Sequence, residues 1–303
     1  MFTRIALAAG AALALLPSCA QGQAAPGNNV DERLRQQNRV MSDREREEAI
    51  LTGDTDIVLL RRTQLFSLHG SFDAAATSNA FLAPAGRVSD GYAQAQVGLG
   101  FATRIGGKVD LFADVGMLGM RYFTYRALDY NALTGLVGAQ AGFGRLKVAA
   151  TYQPAIVLTR DFGARQLTTH RLRLTAALPF QFGRVTVEPS IAGERVLANP
   201  SDYRAWAGNA NLTVSAPLSH KLPIFAYAAG GYEHRSFDDY FSTLVGVKRI
   251  DDSVTASAGL VYRPRRWGEV RLSYSFTHNR STSDVNGYVA HSGSLGLSAT
   301  LRF

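Results

Sequence analysis

From Val289 to Phe303 the sequence alternates almost without interruption between apolar and small or polar side chains. Leu295, Leu297, Ala299, Leu301 and Phe303 fall on one face of an extended strand, and Ser292, Ser294, Gly296, Ser298, Thr300 and Arg302 fall on the other. A strand of this kind has one oily and one wet face. That is what a barrel with lipid outside and water or polar groups inside requires. A soluble two-sheet sandwich shares the alternation, but its apolar face is the packed one and its strand ends are not ringed with aromatic residues.

The same period recurs from about Thr63 onward. Twelve segments carry it, at 63–76, 88–104, 108–122, 130–143, 145–160, 166–181, 184–196, 203–217, 221–235, 250–263, 268–280 and 288–303. The expected fold is all-β, a transmembrane antiparallel β-barrel of about 12 strands, with 10 or 14 as alternative counts. Short joins, such as Phe143-Gly144-Arg145 and Phe182-Gly183-Arg184, alternate with longer ones. Among the longer joins, Ser236 to Arg249 is the longest and contains Phe237, Tyr240 and Phe241, so it is expected to fold inward as a constriction. Short turns on one rim and longer loops on the other place both termini in the periplasm.

Strand parity then assigns the faces. Val109, Leu111, Ala113 and Val115, Leu172, Leu174, Ala176 and Leu178, and Val270, Leu272, Tyr274 and Phe276 are read as lipid-facing. Eight charged residues become candidates for a lumen or constriction wall: Asp110, Asp114, Lys147, Arg171, Arg173, Glu188, Arg263 and Arg271. Phe101, Phe143, Phe180, Phe225, Trp267 and Phe303 are read as an interfacial girdle at the turn rim. Tyr122, Tyr125, Tyr130, Tyr203, Trp206, Tyr232 and Tyr288 are read as its counterpart at the loop rim.

The N-terminal sixty residues have a different character. Arg4, the apolar run Ile5 to Leu16 and the small residues Ser18, Cys19 and Ala20 read as a signal peptide over 1–20, too short to span a membrane as a helix. Cleavage by ordinary signal peptidase and lipidation at Cys19 are both open. Cys19 is the single cysteine, so no disulfide or thiolate metal cluster is expected in the mature chain. Residues 21–60 are dense in both charge signs, with Ser42 and Glu45 at capping-box spacing, and read as a periplasmic linker with a short helix. The barrel occupies 61–303.

Composition excludes other classes. Beyond the signal no long apolar run exists for a helical membrane span, and aromatic and β-branched residues are too plentiful for a disordered chain. The net charge of +8 comes from arginines scattered singly, without the basic stripe or stacking platform of a nucleic-acid binder.

Two motifs carry a family resemblance. Thr77-Ser78-Asn79-Ala80-Phe81-Leu82, followed by Arg87 to Asp90, and His278-Asn279-Arg280-Ser281 before the last strand resemble features of outer-membrane β-barrel porins. The barrel is also similar to that of surface lipoprotein assembly modifiers, although their helical-repeat periplasmic domain has no counterpart here. The last strand, ending on Phe303, resembles the signal read by the barrel-assembly machinery. These resemblances imply an outer-membrane location, with outer-membrane lipid, lipopolysaccharide and the assembly machinery as partners.

Chemistry beyond a pore has weaker signals. A barrel hydrolase similar to outer-membrane phospholipase A would need a serine beside one of His69, His170, His234, His278 or His291 on the outer face, and no nucleophile motif surrounds them. Asp238, Asp239, Asp251 and Asp252 lack calcium-loop spacing. No catalytic residue, metal or cofactor is therefore expected. A passive channel for small solutes is the first reading. A non-conducting export or surface-assembly accessory that docks a periplasmic partner through the linker is the alternative.

Overall fold

A computed structural model describes residues 65–105, 109–219, 222–241, 248–265, 267–283 and 285–303. The expected signal peptide with Cys19 and the expected linker, His220, and the side chains of Asp239, Tyr240 and Phe241 lie outside the described residues. Thirteen strands are described: β1 (Phe66–Thr77), β2 (Asp90–Ile105), β3 (Val109–Tyr122), β4 (Tyr130–Phe143), β5 (Leu146–Thr159), β6 (Arg165–Ala177), β7 (Phe180–Phe182), β8 (Val185–Asn199), β9 (Ala205–Pro217), β10 (Ile224–Phe241), β11 (Lys248–Arg265), β12 (Gly268–Ser281) and β13 (Tyr288–Arg302). β6 and β7 are two parts of one stave, interrupted at Pro179, which has no N–H to donate. The barrel therefore has twelve staves.

Every stave pairs antiparallel with its sequence neighbours, and β1 pairs with β13 from Ser67 opposite Arg302 to Thr77 opposite Ser292. Closure removes both sheet edges. The seam is tied at its end by the last residue: the Phe303 amide donates to the Phe66 carbonyl at 3.0 Å, and the Phe66 amide donates back at 3.1 Å. Their rings stack at 6.3 Å, and Phe101 lies 5.4 Å from Phe66 on its other side.

The turns follow their glycines. β4–β5 and β7–β8 are joined by Gly144-Arg145 and Gly183-Arg184, with the glycines at φ of 62° and 57°. A left-handed first central residue matches the strand twist in two-residue hairpins, and glycine adopts it without a Cβ penalty. The opposite rim carries the longer connections, including 3-10 turns at Arg126–Leu128 and Ser201–Tyr203. In the β5–β6 loop the Thr159 hydroxyl and the Gly163 amide donate to Asp161 and hold its carboxyl below the ordinary carboxylate value.

The outer wall is apolar and unpacked. Val115, Leu174, Leu272 and Leu295 are 61%, 59%, 55% and 54% exposed, while Arg271 and Glu188 on inward positions are 7% and 6% exposed. In water each such leucine would forgo the free energy of burying its surface, about 25 cal/mol per Å². In hydrocarbon the same surface is already in its preferred environment. Among the turn-rim aromatics, Phe143, Trp267 and Phe303 stand exposed as expected, joined by Phe66 and Phe182.

Three expectations are corrected. Phe225 is not in the girdle: it faces inward opposite Val261, and the Arg263 guanidinium lies over its ring at 5.0 Å. Tyr122 and Tyr130 are 3% and 6% exposed and also face inward. With Met120 and Ala132 they form an apolar patch inside the mouth, onto which the loops lay Ala80 and Leu128, with Phe81 and Tyr125 packed alongside. Tyr288 packs with Leu82 and Ala290 in the same way. Trp206 and Tyr232 do stand exposed on the outer face. Finally, Ser236 to Phe241 and Lys248 to Arg249 continue β10 and β11 as strand and not as loop, while residues 242–247 of the segment expected to fold inward lie outside the described residues.

Candidate functional site in the lumen wall

All eight charged candidates lie on inward positions, as strand parity requires. They occur mostly in pairs along the wall. Asp110 accepts from Arg104 Nε at 2.6 Å and NH2 at 3.3 Å on the adjacent strand, at the turn rim. Arg263 donates to Glu269 at 3.0 Å, again between neighbours. Glu188 is buried on β8 opposite Thr213, and Lys147 sits opposite Gly142 and Ala177 near the turn rim.

Two pairs step over an intervening strand. Arg271 of β12 reaches Asp73 of β1 at 3.4 Å, passing over Gly296 of β13. His69 of β1 lies 3.5 Å from Asp114 of β3, passing over Gly98 of β2. Glycine is needed at both crossings. A Cβ on Gly98 would come within 2.5 Å of His69 Nε2, and one on Gly296 would fall on the Asp73 carboxylate. Gly296→Ala is expected to push Asp73 away from Arg271 and to destabilise the barrel by about 1–3 kcal/mol, the usual range for an overpacked interior. Equilibrium urea unfolding in lipid checks this, and an unchanged midpoint would contradict the crossing.

The densest constellation is in the half of the barrel nearer the loops. Arg171 and Arg173 of β6 alternate with Leu172, so both guanidiniums enter the lumen, and Glu194 of β8 stands opposite Arg173. Glu194 is 3.2 Å from Arg171 Nε, 3.9 Å from Arg173 NH1 and 3.8 Å from Arg235 NH2 of β10. Arg235 also pairs with Glu233 at 2.9 Å. Above them Arg249 pairs with Asp251 and lies over the Phe237 ring at 4.2 Å.

Asp73, Glu194, Glu233 and Arg235 were not among the sequence candidates, and His69, read as an outer-face histidine, points inward to Asp114. Parity places Glu194 beside Glu188, and His69 beside Asp73, on inward faces, so that signal was available. Arg235 lay at the very end of its expected strand.

The other chemical candidates scatter. Asp238 pairs with Arg195 on the outer face, Asp252 accepts from Tyr232 and contacts His234, and Asp251 points inward. These acids do not converge on a common point. On the outer face Tyr152 bonds His170 Nδ1 and Tyr274 bonds His291 Nδ1, both at 2.7 Å. The described bonds of these histidine rings thus go to phenols and a carboxylate.

A closed twelve-stave antiparallel barrel with an apolar outer wall and a charged interior has the architecture of outer-membrane β-barrels. That is the fold of this chain. Solved structures similar to it include the translocator domain of the autotransporter NalP from Neisseria meningitidis, at 17% identity and a TM-score of 0.44, covering 88% of this chain and 97% of that one. LpxR from Salmonella typhimurium matches at 11% identity and 0.44, covering 75% and 99%. The KdgM porin in complex with disordered oligogalacturonate matches at 7% identity and 0.43, covering 76% and 98%. Likenesses of this size say nothing about what the chain does. No protein-family model matches the sequence, and no curated protein matches it.

Proposed function

We propose that the protein is a passive pore for small solutes in the outer membrane. The observation that carries this reading is the direction of the ion pairs. Arg104 with Asp110, Arg171 with Glu194, Arg263 with Glu269 and Arg271 with Asp73 all run along the wall, between neighbouring strands or over one strand. Charges satisfied laterally line a passage, whereas charges bridged across the axis would block it. The apolar cluster lies inside the mouth on the β2–β5 side, and ion-paired side chains line the β6–β12 wall. On the outer face the described histidine rings bond to Tyr152, Asp252 and Tyr274.

A second reading, the non-conducting accessory barrel, draws on the same packed mouth. Liposome swelling separates the two. Proteoliposomes are expected to swell in isotonic arabinose at a rate that falls with larger sugars, and folded protein that gives no more swelling than empty liposomes would overturn the pore.

A further inference from the structure

We infer that the ring of short turns is a docking surface for anionic phospholipids, of the phosphatidylglycerol type, in the leaflet that the turns meet. The inference goes beyond the pore reading and needs only that the barrel sits in a bilayer. What carries it is where the charge lies. The turn rim comprises the five short connections with three strand residues on either side, together with the adjoining ends of β1 and β13. Ten of the basic side chains of residues 65–303 and two of the acidic ones belong to this rim. The rest of that span holds fourteen of each sign. Widening the rim by one residue adds Glu188 and Arg271, one of each sign, and leaves the balance unchanged. The positive excess of the barrel therefore lies wholly at one end, whichever hydrogen bonds the individual side chains make.

Position within the rim selects the partner. Arg104 and Arg263 face inward and meet the rim's two acids, Asp110 and Glu269. Lys147 and Arg302 also fall on inward positions. The other six stand in or against the turns themselves. Lys108 belongs to the first turn, Arg145 to the second, Arg184 to the third, Lys221 to the fourth, and Arg265 with Arg266 to the fifth, and none of the five turns carries an acid. Arg145, Arg184 and Arg265 are exposed. Each also stands beside an exposed aromatic residue of the outer wall: Phe143-Gly144-Arg145, Phe182-Gly183-Arg184 and Arg265-Arg266-Trp267. An aromatic girdle sits at head-group depth. A cation one or two residues from it, at the turn, is level with the lipid phosphates, where an anionic leaflet attracts Lys and Arg and a guanidinium can present its fork to one phosphate. Successive turns are two staves apart, about 10 Å perpendicular to the strands. That spacing suits separate head groups around the circumference and not the oxygens of one small anion.

The two tryptophans supply a test with its own control, because Trp267 belongs to the turn rim and Trp206 stands on the outer face toward the loops. Two single-reporter proteins, Trp206→Phe and Trp267→Phe, are folded as the full chain into phosphatidylcholine vesicles with a minor share of brominated phosphatidylglycerol or, in parallel, of brominated phosphatidylcholine. At low salt Trp267 is expected to be quenched several-fold more by phosphatidylglycerol than by phosphatidylcholine, and Trp206 equally by both. The preference at Trp267 is expected to disappear in Arg265→Gln with Arg266→Gln, and to fall in the unchanged turns as salt is raised. The salt series needs no change in the turns, so the test stands if the double variant does not fold. Equal quenching by both lipids at Trp267, the result if an acidic polypeptide covers the rim instead, overturns the inference. A preference of the same size at both tryptophans, or one at Trp267 that high salt leaves intact, does so too. None of these readouts involves conduction: a silent barrel would overturn the pore alone, and a conducting barrel without lipid preference would overturn the docking surface alone.

Discussion

Leu174→Arg is expected to destabilise the folded barrel in lipid by about 2–4 kcal/mol, the cost of a cation on the lipid face near the bilayer midplane. The same arginine one residue later, Thr175→Arg, is expected to leave stability within about 0.5 kcal/mol, as ordinary for substitutions away from packed features. Leu174 is 59% exposed on the outer wall of β6, between two staves that offer it no polar partner. Thr175 points into the lumen, on the same face as Arg173. Because side chains in a strand alternate, the two changes place one charge in hydrocarbon and one among polar groups at almost the same depth. Trp206 and Trp267, both exposed on the outer surface, supply the fluorescence signal for urea titrations in vesicles. Equal losses at the two positions would mean that the facing is wrong.

Leu128→Ala is expected to cost about 2–5 kcal/mol, the range for emptying a packed apolar site. Leu128 is 1% exposed although it belongs to a loop, because the 3-10 turn Arg126–Leu128 lowers it onto Met120, Tyr122 and Tyr130 inside the mouth. The turn is held in place by acids on both sides. Asp129 Oδ1 accepts from the Tyr122 amide at 2.7 Å, and Asp90 accepts from the Thr124 and Tyr125 amides. With those anchors intact the loop cannot collapse into the void, so the cavity persists and the loss falls toward the upper end of the range. Thermal unfolding checks this, and a midpoint within a degree of wild type would show that the loop lies over the mouth without packing into it.

Strand number, order and facing were legible in the sequence because one face of every stave is oily and the period of two is rigid. Val109 to Val115 and Val270 to Phe276 show this on the outside, and the eight charged candidates show it on the inside. Phe225, Tyr122 and Tyr130 were misread because aromatic residues near strand ends were assigned to the lipid interface without regard to parity. Phe225 and Tyr227 share the inward face of β10, so parity alone would have turned Phe225 inward. The convergence on Glu194 was not legible, since Arg235 is two staves away and meets it only through the tilt of closed strands. The crossings of Asp73 over Gly296 and of His69 over Gly98 were hidden for the same reason. In a sequence those glycines look like ordinary barrel glycines, and their purpose emerges only when the neighbouring side chains reach across them.

Single-channel recording of the folded full chain in a planar bilayer, under a potassium chloride gradient, tests the pore most directly. Stable open steps are expected, with a conductance that rises as the salt concentration is raised. A folded barrel that stays silent would contradict the pore.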